Sequence, residues 1–275
     1  MKAITPEMTK KFAKGFEENN KQQALQRAVV KNGITASAEN VAAHVSNTPV
    51  FSIDLSTGKV SNQKQSGRCW MFAALNTFRH KLLNQFHLKE FELSQNYTFF
   101  WDKYEKANYF YENIIATGND ALDSRKVAFL LTTPQQDGGQ WDMIVSLFQK
   151  YGVVPKSVMP ESANSSNSRD LNNYLNKLLR KDATVLREMI AGGETAEAIQ
   201  AKKEEMLEGI YQFLAISLGT PPKEFDFEYR DEENNYHIDQ QLTPQLFYDK
   251  YIGVKLDDYV SIINAPTKDK PFDRS

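Results

Sequence analysis

The stretch that decides the fold is residues 62–72, NQKQSGRCWMF, which holds the only cysteine of the 275-residue chain. From Cys69 onward the apolar residues Phe72, Leu75, Phe78, Leu82 and Phe86 recur at threes and fours, while Arg79, His80 and Lys81 take the other side. That period predicts a helix over 69–87. Gly67 breaks the chain just upstream, so the thiol falls at or near the helix N-terminus. A thiol acts as a nucleophile only as a thiolate, and its pKa falls at a helix N-terminus beside cations. Arg68 and Lys64 are the adjacent cations. An acyl-transfer site also needs donors aimed at the developing oxyanion. The Cys69 backbone N–H and the side-chain amide of Gln63 or Gln65 are the local candidates. The competing reading makes Cys69 a small buried hydrophobe on the inner face of its helix.

Outward from this stretch, Thr5-Pro6-Glu7 is a helix start, with Met8, Phe12 and Phe16 as a narrow apolar stripe. KQQALQRAVVKNG forms a second helix stopped at Asn32-Gly33, and VFSIDLS (50–56) alternates as a short strand. A helix over 94–112 opens on Ser94 and places Tyr97, Trp101 and Tyr104 on one face, for core packing or a subunit contact. Asp137-Gly138-Gly139 is turn chemistry ahead of a helix from about Gln140 to Gly152. Residues 161–169 read as a polar loop, followed by two helices joined at Gly192-Gly193 and a hairpin turning near Asn234-Asn235.

Net charge is −2 from well-mixed acids and bases, which argues against a nucleic-acid or anionic-membrane surface. The longest wholly apolar run is Cys69 to Leu75, too short to span a bilayer. A single cysteine and no apolar leader at the N-terminus predict a cytoplasmic chain with no internal disulfide.

Taken with its neighbours, NQKQSGRCWMFAALNTFR resembles the active-site segment of papain-like cysteine peptidases, and within them the bleomycin hydrolase and aminopeptidase C branch. The matching positions are Gln63, Gly67, Cys69, Trp70 and Phe72; Ser66 stands where secreted relatives carry a disulfide cysteine. LSQNYTFFWDKYEKANYF, DGGQWDMIVSLFQKYGVVPKSVMPES and FEYRDEENNYHIDQQLTPQLFYDKYIG extend the likeness from about residue 50 to the end. The resemblance implies an α+β papain-like fold. Residues 1–60 would be an N-terminal arm, 61–160 the helical lobe with the nucleophile, and 161–275 a helical insertion leading toward a missing second lobe. It implies Cys69 and Gln63 as catalytic residues, and Gly138, Gly139 and Trp70 along the substrate, with Trp141 and Asp142 lining or supporting the pocket. It further implies peptide substrates, no cofactor or metal, and a homo-oligomeric, hexameric ring.

The same resemblance implies a histidine base oriented by an asparagine, about 130–150 residues after the cysteine. That window, about residues 199–219, holds no histidine. His44 lies in the arm, His80 and His87 follow Cys69 along its own predicted helix, and His237 is the one downstream candidate. The expectation is therefore the N-terminal part of a longer cysteine aminopeptidase. The alternatives are an inactive remnant that binds peptides or serves assembly, and a redox-sensing thiol, which has no resolving cysteine here.

Overall fold

The computed structural model describes residues 3–46, 50–53, 58–88 and 90–260. The chain divides into two compact units, Met1–Leu55 and Ser56–Ser275.

In the first unit, α1 (Pro6–Glu17) is capped by Thr5, whose hydroxyl accepts from the Met8 N–H, and carries proline at its first position. Helix α2 (Asn20–Asn32) is capped by Asn19 and stopped at Gly33, where φ is +82°. Two short helices follow, α3 (Ile34–Ser37) and α4 (Val41–Ser46). None of the four helices buries a residue, and the stripe of Met8, Phe12 and Phe16 is exposed. The strand expected from VFSIDLS does not form at 50–53, and residues 54–56 lie outside the described residues. Alternation alone makes no strand where no neighbour supplies a hydrogen-bonding ladder.

The second unit is organised around α6 (Gln95–Ala116). Its N-cap Ser94 accepts from the Tyr97 N–H, and its inner face buries Phe99, Phe100, Ala107, Phe110, Tyr111 and Ile114. Helix α5 (Cys69–Gln85) packs one side, followed by α7 (Arg125–Thr132), α8 (Trp141–Tyr151) and α9 (Ala163–Ser166). Against α6 also lie α10 (Arg169–Ala191) and α11 (Ala196–Leu218). Leu171, Leu175, Leu179 and Leu186 of α10 are buried at helical spacing, as are Ile210, Leu214 and Leu218 of α11. Each such side chain contributes about 1.5–3 kcal/mol through burial. Tyr97, Trp101 and Tyr104 form core packing: Trp101 stacks on Tyr151 at 4.0 Å, and Tyr104 and Trp101 both meet Tyr211.

Strands β1 (Phe225–Arg230) and β2 (Tyr236–Leu242) pair antiparallel, with Phe227 opposite Asp239 and a register shift between Phe225 and Phe227. Asn234, at φ +69°, turns the hairpin where expected. Phe227 packs on Phe91, Phe247 and Tyr251, which fastens the hairpin to α12 (Pro244–Phe247) and the π-helical turn Tyr248–Ile252. The architecture is thus helix-rich with a small sheet. One expectation is corrected: within the polar loop of 161–169, α9 forms because the Ser162 and Ser165 hydroxyls each accept from the other residue's backbone N–H, a reciprocal cap. No helix among the described residues is long and apolar enough to cross a membrane.

Candidate active site

Cys69 is the first residue of α5 and is exposed. The reading of it as a buried hydrophobe is therefore removed. The first helical hydrogen bonds run from the Met71 and Phe72 N–H groups to the Arg68 carbonyl, and no side chain caps the helix. The N–H groups of Cys69 and Trp70 precede those bonds, as the leading donors of any helix do.

What holds this helix mouth is a set of buried polar groups around Asp137. The Oδ2 atom of Asp137 accepts from the Gly67 N–H at 3.0 Å and the Ser168 hydroxyl at 2.5 Å. Its Oδ1 accepts from Lys103 Nζ at 2.6 Å and Asn172 Nδ2 at 2.8 Å. Its backbone oxygen accepts from Trp70 Nε1 at 2.9 Å. Burial works against the charged form of Asp137, but the Lys103 ammonium and the converging donors hold its carboxyl well below the usual carboxylate range. Burial pushes Lys103 down to about 8, opposed by the charges of Asp137 and Asp102. Burial likewise pushes Asp102 up, with Lys106 and Lys103 offsetting part of the shift. Lys106 donates to the Gln136 and Gly138 carbonyl oxygens at 2.8 Å each and lies 5.5 Å from the Trp70 ring centre, which stiffens the glycine turn.

Arg68 differs from its expected role. It is fully buried, donates to both carboxylate oxygens of Glu161 at 3.0 and 2.7 Å, and donates from Nε to the Ser66 hydroxyl at 2.8 Å. Its guanidinium lies 5.2 Å from the Phe72 ring centre and 5.0 Å from that of Phe99. The cation that the sequence sets beside the thiol is thus paired inside the unit. Arginine suits this position because its planar fork matches a carboxylate and its faces stack on rings.

Of the two glutamines, Gln65 is engaged elsewhere. Its Oε1 accepts from Asn167 Nδ2, and its backbone exchanges bonds with Ser166 and Ser168. Gln63 is half-buried and its Oε1 has no hydrogen-bond partner. The Ser66 hydroxyl fixes the Gln63 carbonyl at 2.8 Å, and Lys64 at φ +53° turns the chain after it. The two glycines serve different ends. A Cβ on Gly139 would lie 2.5 Å from the Trp70 ring, so this glycine is required by the indole packed on it. A Cβ on Gly138 would meet nothing within 4 Å, so that position faces open space. Trp70 itself is half-buried, with its N–H committed to Asp137.

The histidines lie elsewhere. His237 stacks on Tyr229 and shares a 3.0 Å contact with Asp231 at the hairpin turn. His80 is eleven residues along α5 from Cys69, about 16 Å at the helical rise. The sequence reading missed Asp137 as a hub, along with Lys103, Ser168, Asn172 and Glu161. The local signal was an acid directly before two glycines, four residues ahead of the first residue of the next helix.

Comparisons with known proteins give the family. Residues 3–275 match the Peptidase C1-like family. The chain is 60% identical to aminopeptidase C of Streptococcus thermophilus over 275 residues, covering 100% of this chain and 62% of that protein. It is 55% identical over 272 residues to aminopeptidase C of Lactococcus lactis subsp. cremoris, 99% of this chain and 61% of the relative. It is also similar to the crystal structure of PepW from Lactobacillus rhamnosis, with a TM-score of 0.93 and 60% identity over 98% of this chain and 60% of that one. The chain therefore spans about three fifths of the length of the relatives it matches. On a match that runs along almost all of its residues, the chain belongs to the Peptidase C1-like family, among the papain-like peptidases of the aminopeptidase C kind.

Proposed function

We propose that this chain carries the nucleophile half of a cysteine aminopeptidase, with peptides as substrates. The observation that supports it most is the exposed Cys69 at the uncapped mouth of α5. In this reading the Cys69 thiolate attacks the carbonyl carbon of the peptide's first residue. The carbonyl π electrons move to oxygen, and the Cys69 backbone N–H and the Gln63 amide stabilise that oxyanion. Collapse breaks the C–N bond, the leaving amine takes a proton from the general acid, and the acyl group stays on sulfur as a thioester. Water then attacks the thioester, releasing the amino acid and returning the thiol. The base and acid is a histidine oriented by an asparagine, which we assign to the part of the relatives' length that this chain does not span.

Gly138, with open space above its α-carbon, is assigned to the substrate backbone; Gly139 and Trp70 form the wall behind it. We read residues 61–160 as the lobe with the nucleophile and 161–275 as a helical insertion. The likeness to aminopeptidase C proteins favours removal of N-terminal residues. A cytoplasmic location and a ring of six copies belong to this same reading, on family resemblance.

The experiment uses an aminoacyl p-nitrophenyl ester and follows a stoichiometric release of p-nitrophenolate. Acylation of Cys69 is expected to outpace that of free N-acetylcysteine and to vanish in Cys69→Ala. Gln63→Ala is expected to slow it by about 10²–10³, as for loss of one oxyanion donor. A release undiminished in Cys69→Ala refutes the enzymatic reading. The second reading, a peptide-binding remnant, is favoured by the placement of His237 at Asp231. It predicts peptide binding with a Cys69 no more reactive than the free thiol.

A further inference from the structure

The nucleophile segment is held by one residue on both sides of the sulfur. Asp137 accepts the Gly67 N–H through its carboxylate and the Trp70 indole N–H through its backbone oxygen. Residues two before and one after Cys69 are thereby fixed to the same point. Close packing leaves little slack: a Cβ on Gly67 would lie 2.8 Å from the Asp137 Cβ. The far end of the segment is fixed as well, because the Gln65 N–H donates to the Ser166 oxygen and the Gln65 oxygen accepts from the Ser168 N–H. Ser168 in turn donates its hydroxyl to Asp137. With a single cysteine in the chain, no disulfide is available for this purpose, and the attachment is wholly polar.

The chemistry at Asp137 selects a carboxylate. All four side-chain partners are donors: Gly67 N–H, Ser168 hydroxyl, Lys103 ammonium and Asn172 amide NH₂. A carboxylate accepts at both oxygens, whereas an asparagine would set an NH₂ group against two donors whichever way it were turned. Lys103 reaches the hub from α6, fully buried, and also donates to Gln135 Oε1 at 2.5 Å.

We propose that Asp137 is a positioning residue for acylation of Cys69: its carboxylate fixes the Gly67–Cys69 backbone so that the Cys69 N–H points at the oxyanion. The inference rests on the function proposed above and adds a residue that acts through the backbone without touching substrate.

The test separates attack on a carbonyl, which needs that N–H in place, from alkylation, which needs only the sulfur. Cys69 in the full 275-residue chain is acylated by the aminoacyl p-nitrophenyl ester and, separately, alkylated by iodoacetamide, in wild type and Asp137→Asn. The expected result is a fall of about 10²-fold in acylation rate, the scale of an ångström-sized misplacement, with alkylation unchanged. A merely structural role would move both rates together or neither, and either outcome overturns the proposal. Where Asp137→Asn does not fold, Ser168→Ala replaces it; that variant removes one donor from Oδ2 and is expected to show the same split at smaller amplitude. Equal rates in Ser168→Ala and wild type then overturn the proposal. Wild-type acylation no faster than free thiol refutes the enzymatic function itself, and the positioning role with it. Fast wild-type acylation matched by Asp137→Asn refutes the positioning role alone.

Discussion

Replacing Arg68 with methionine separates the charge at the helix mouth from the side chain's bulk. Methionine fills the volume of the arginine stem and keeps contact with Phe72 and Phe99, but it removes all three donated bonds, two to Glu161 and one to Ser66. Glu161 is then left with the Ser165 hydroxyl at 2.7 Å and a side chain only 19% exposed. Breaking a buried ion pair from one side costs about 3–5 kcal/mol, because the remaining charge has lost both water and partner. The surviving Ser165 bond and the partial hydration of Glu161 place Arg68→Met at the low end, about 3 kcal/mol. For a chain of this size that is a drop of about 6–12 °C in Tm. Adding Glu161→Gln removes the stranded charge, so the double variant should recover about 1–2 kcal/mol of the loss. Urea unfolding followed by tryptophan fluorescence, with unchanged m-values, measures all the variants. A loss below about 1 kcal/mol for Arg68→Met, or a double variant as unstable as the two singles summed, refutes the reasoning.

Other substitutions test the remaining parts of the site. Gly139→Ala is expected to cost about 1–3 kcal/mol, since its Cβ must displace the Trp70 ring and with it the bond to Asp137; Gly138→Ala, into open space, should leave the urea midpoint unchanged. Equal destabilisation of both would refute the assignment of the two glycines to different roles. The pH dependence has a definite sign at Lys103, whose folded pKa is pushed down to about 8 from an ordinary 10.5. Between those values the unfolded chain holds a proton that the folded chain has released, so stability from this group rises with pH. The stability of wild type relative to Lys103→Met should therefore increase from pH 8 toward 10; urea midpoints that stay parallel or converge the other way contradict the placement of a buried, desolvated ammonium.

The local part of this molecule was legible because its causes act within a few residues. Thr5-Pro6 and Ser94 start helices through a side-chain acceptor and the backbone N–H three residues on, and both caps form. The apolar period after Cys69 brought α5 out at Cys69–Gln85, and Gly192-Gly193 separated α10 from α11. The motif around Cys69 carries the resemblance to papain-like peptidases, and the family match runs over residues 3–275. Where a reading needed a distant partner it went differently. The alternation of residues 50–56 found no neighbouring strand at its described residues, and the serines of 161–169 built a capped turn of helix in place of a loop.

The sequence by itself determined where most of the long helices start and stop, where the thiol sits on its helix, and to which family the chain belongs. Only the tertiary structure decided which charges face one another. Arg68 meets Glu161 across 93 residues of chain, and Asp137 gathers Gly67, Lys103, Ser168 and Asn172 from three separate segments. The reason is physical. Periodicity and capping are settled within a turn or two of backbone, whereas a buried charge must find its compensating partner wherever the fold brings one, and sequence distance carries no information about that meeting.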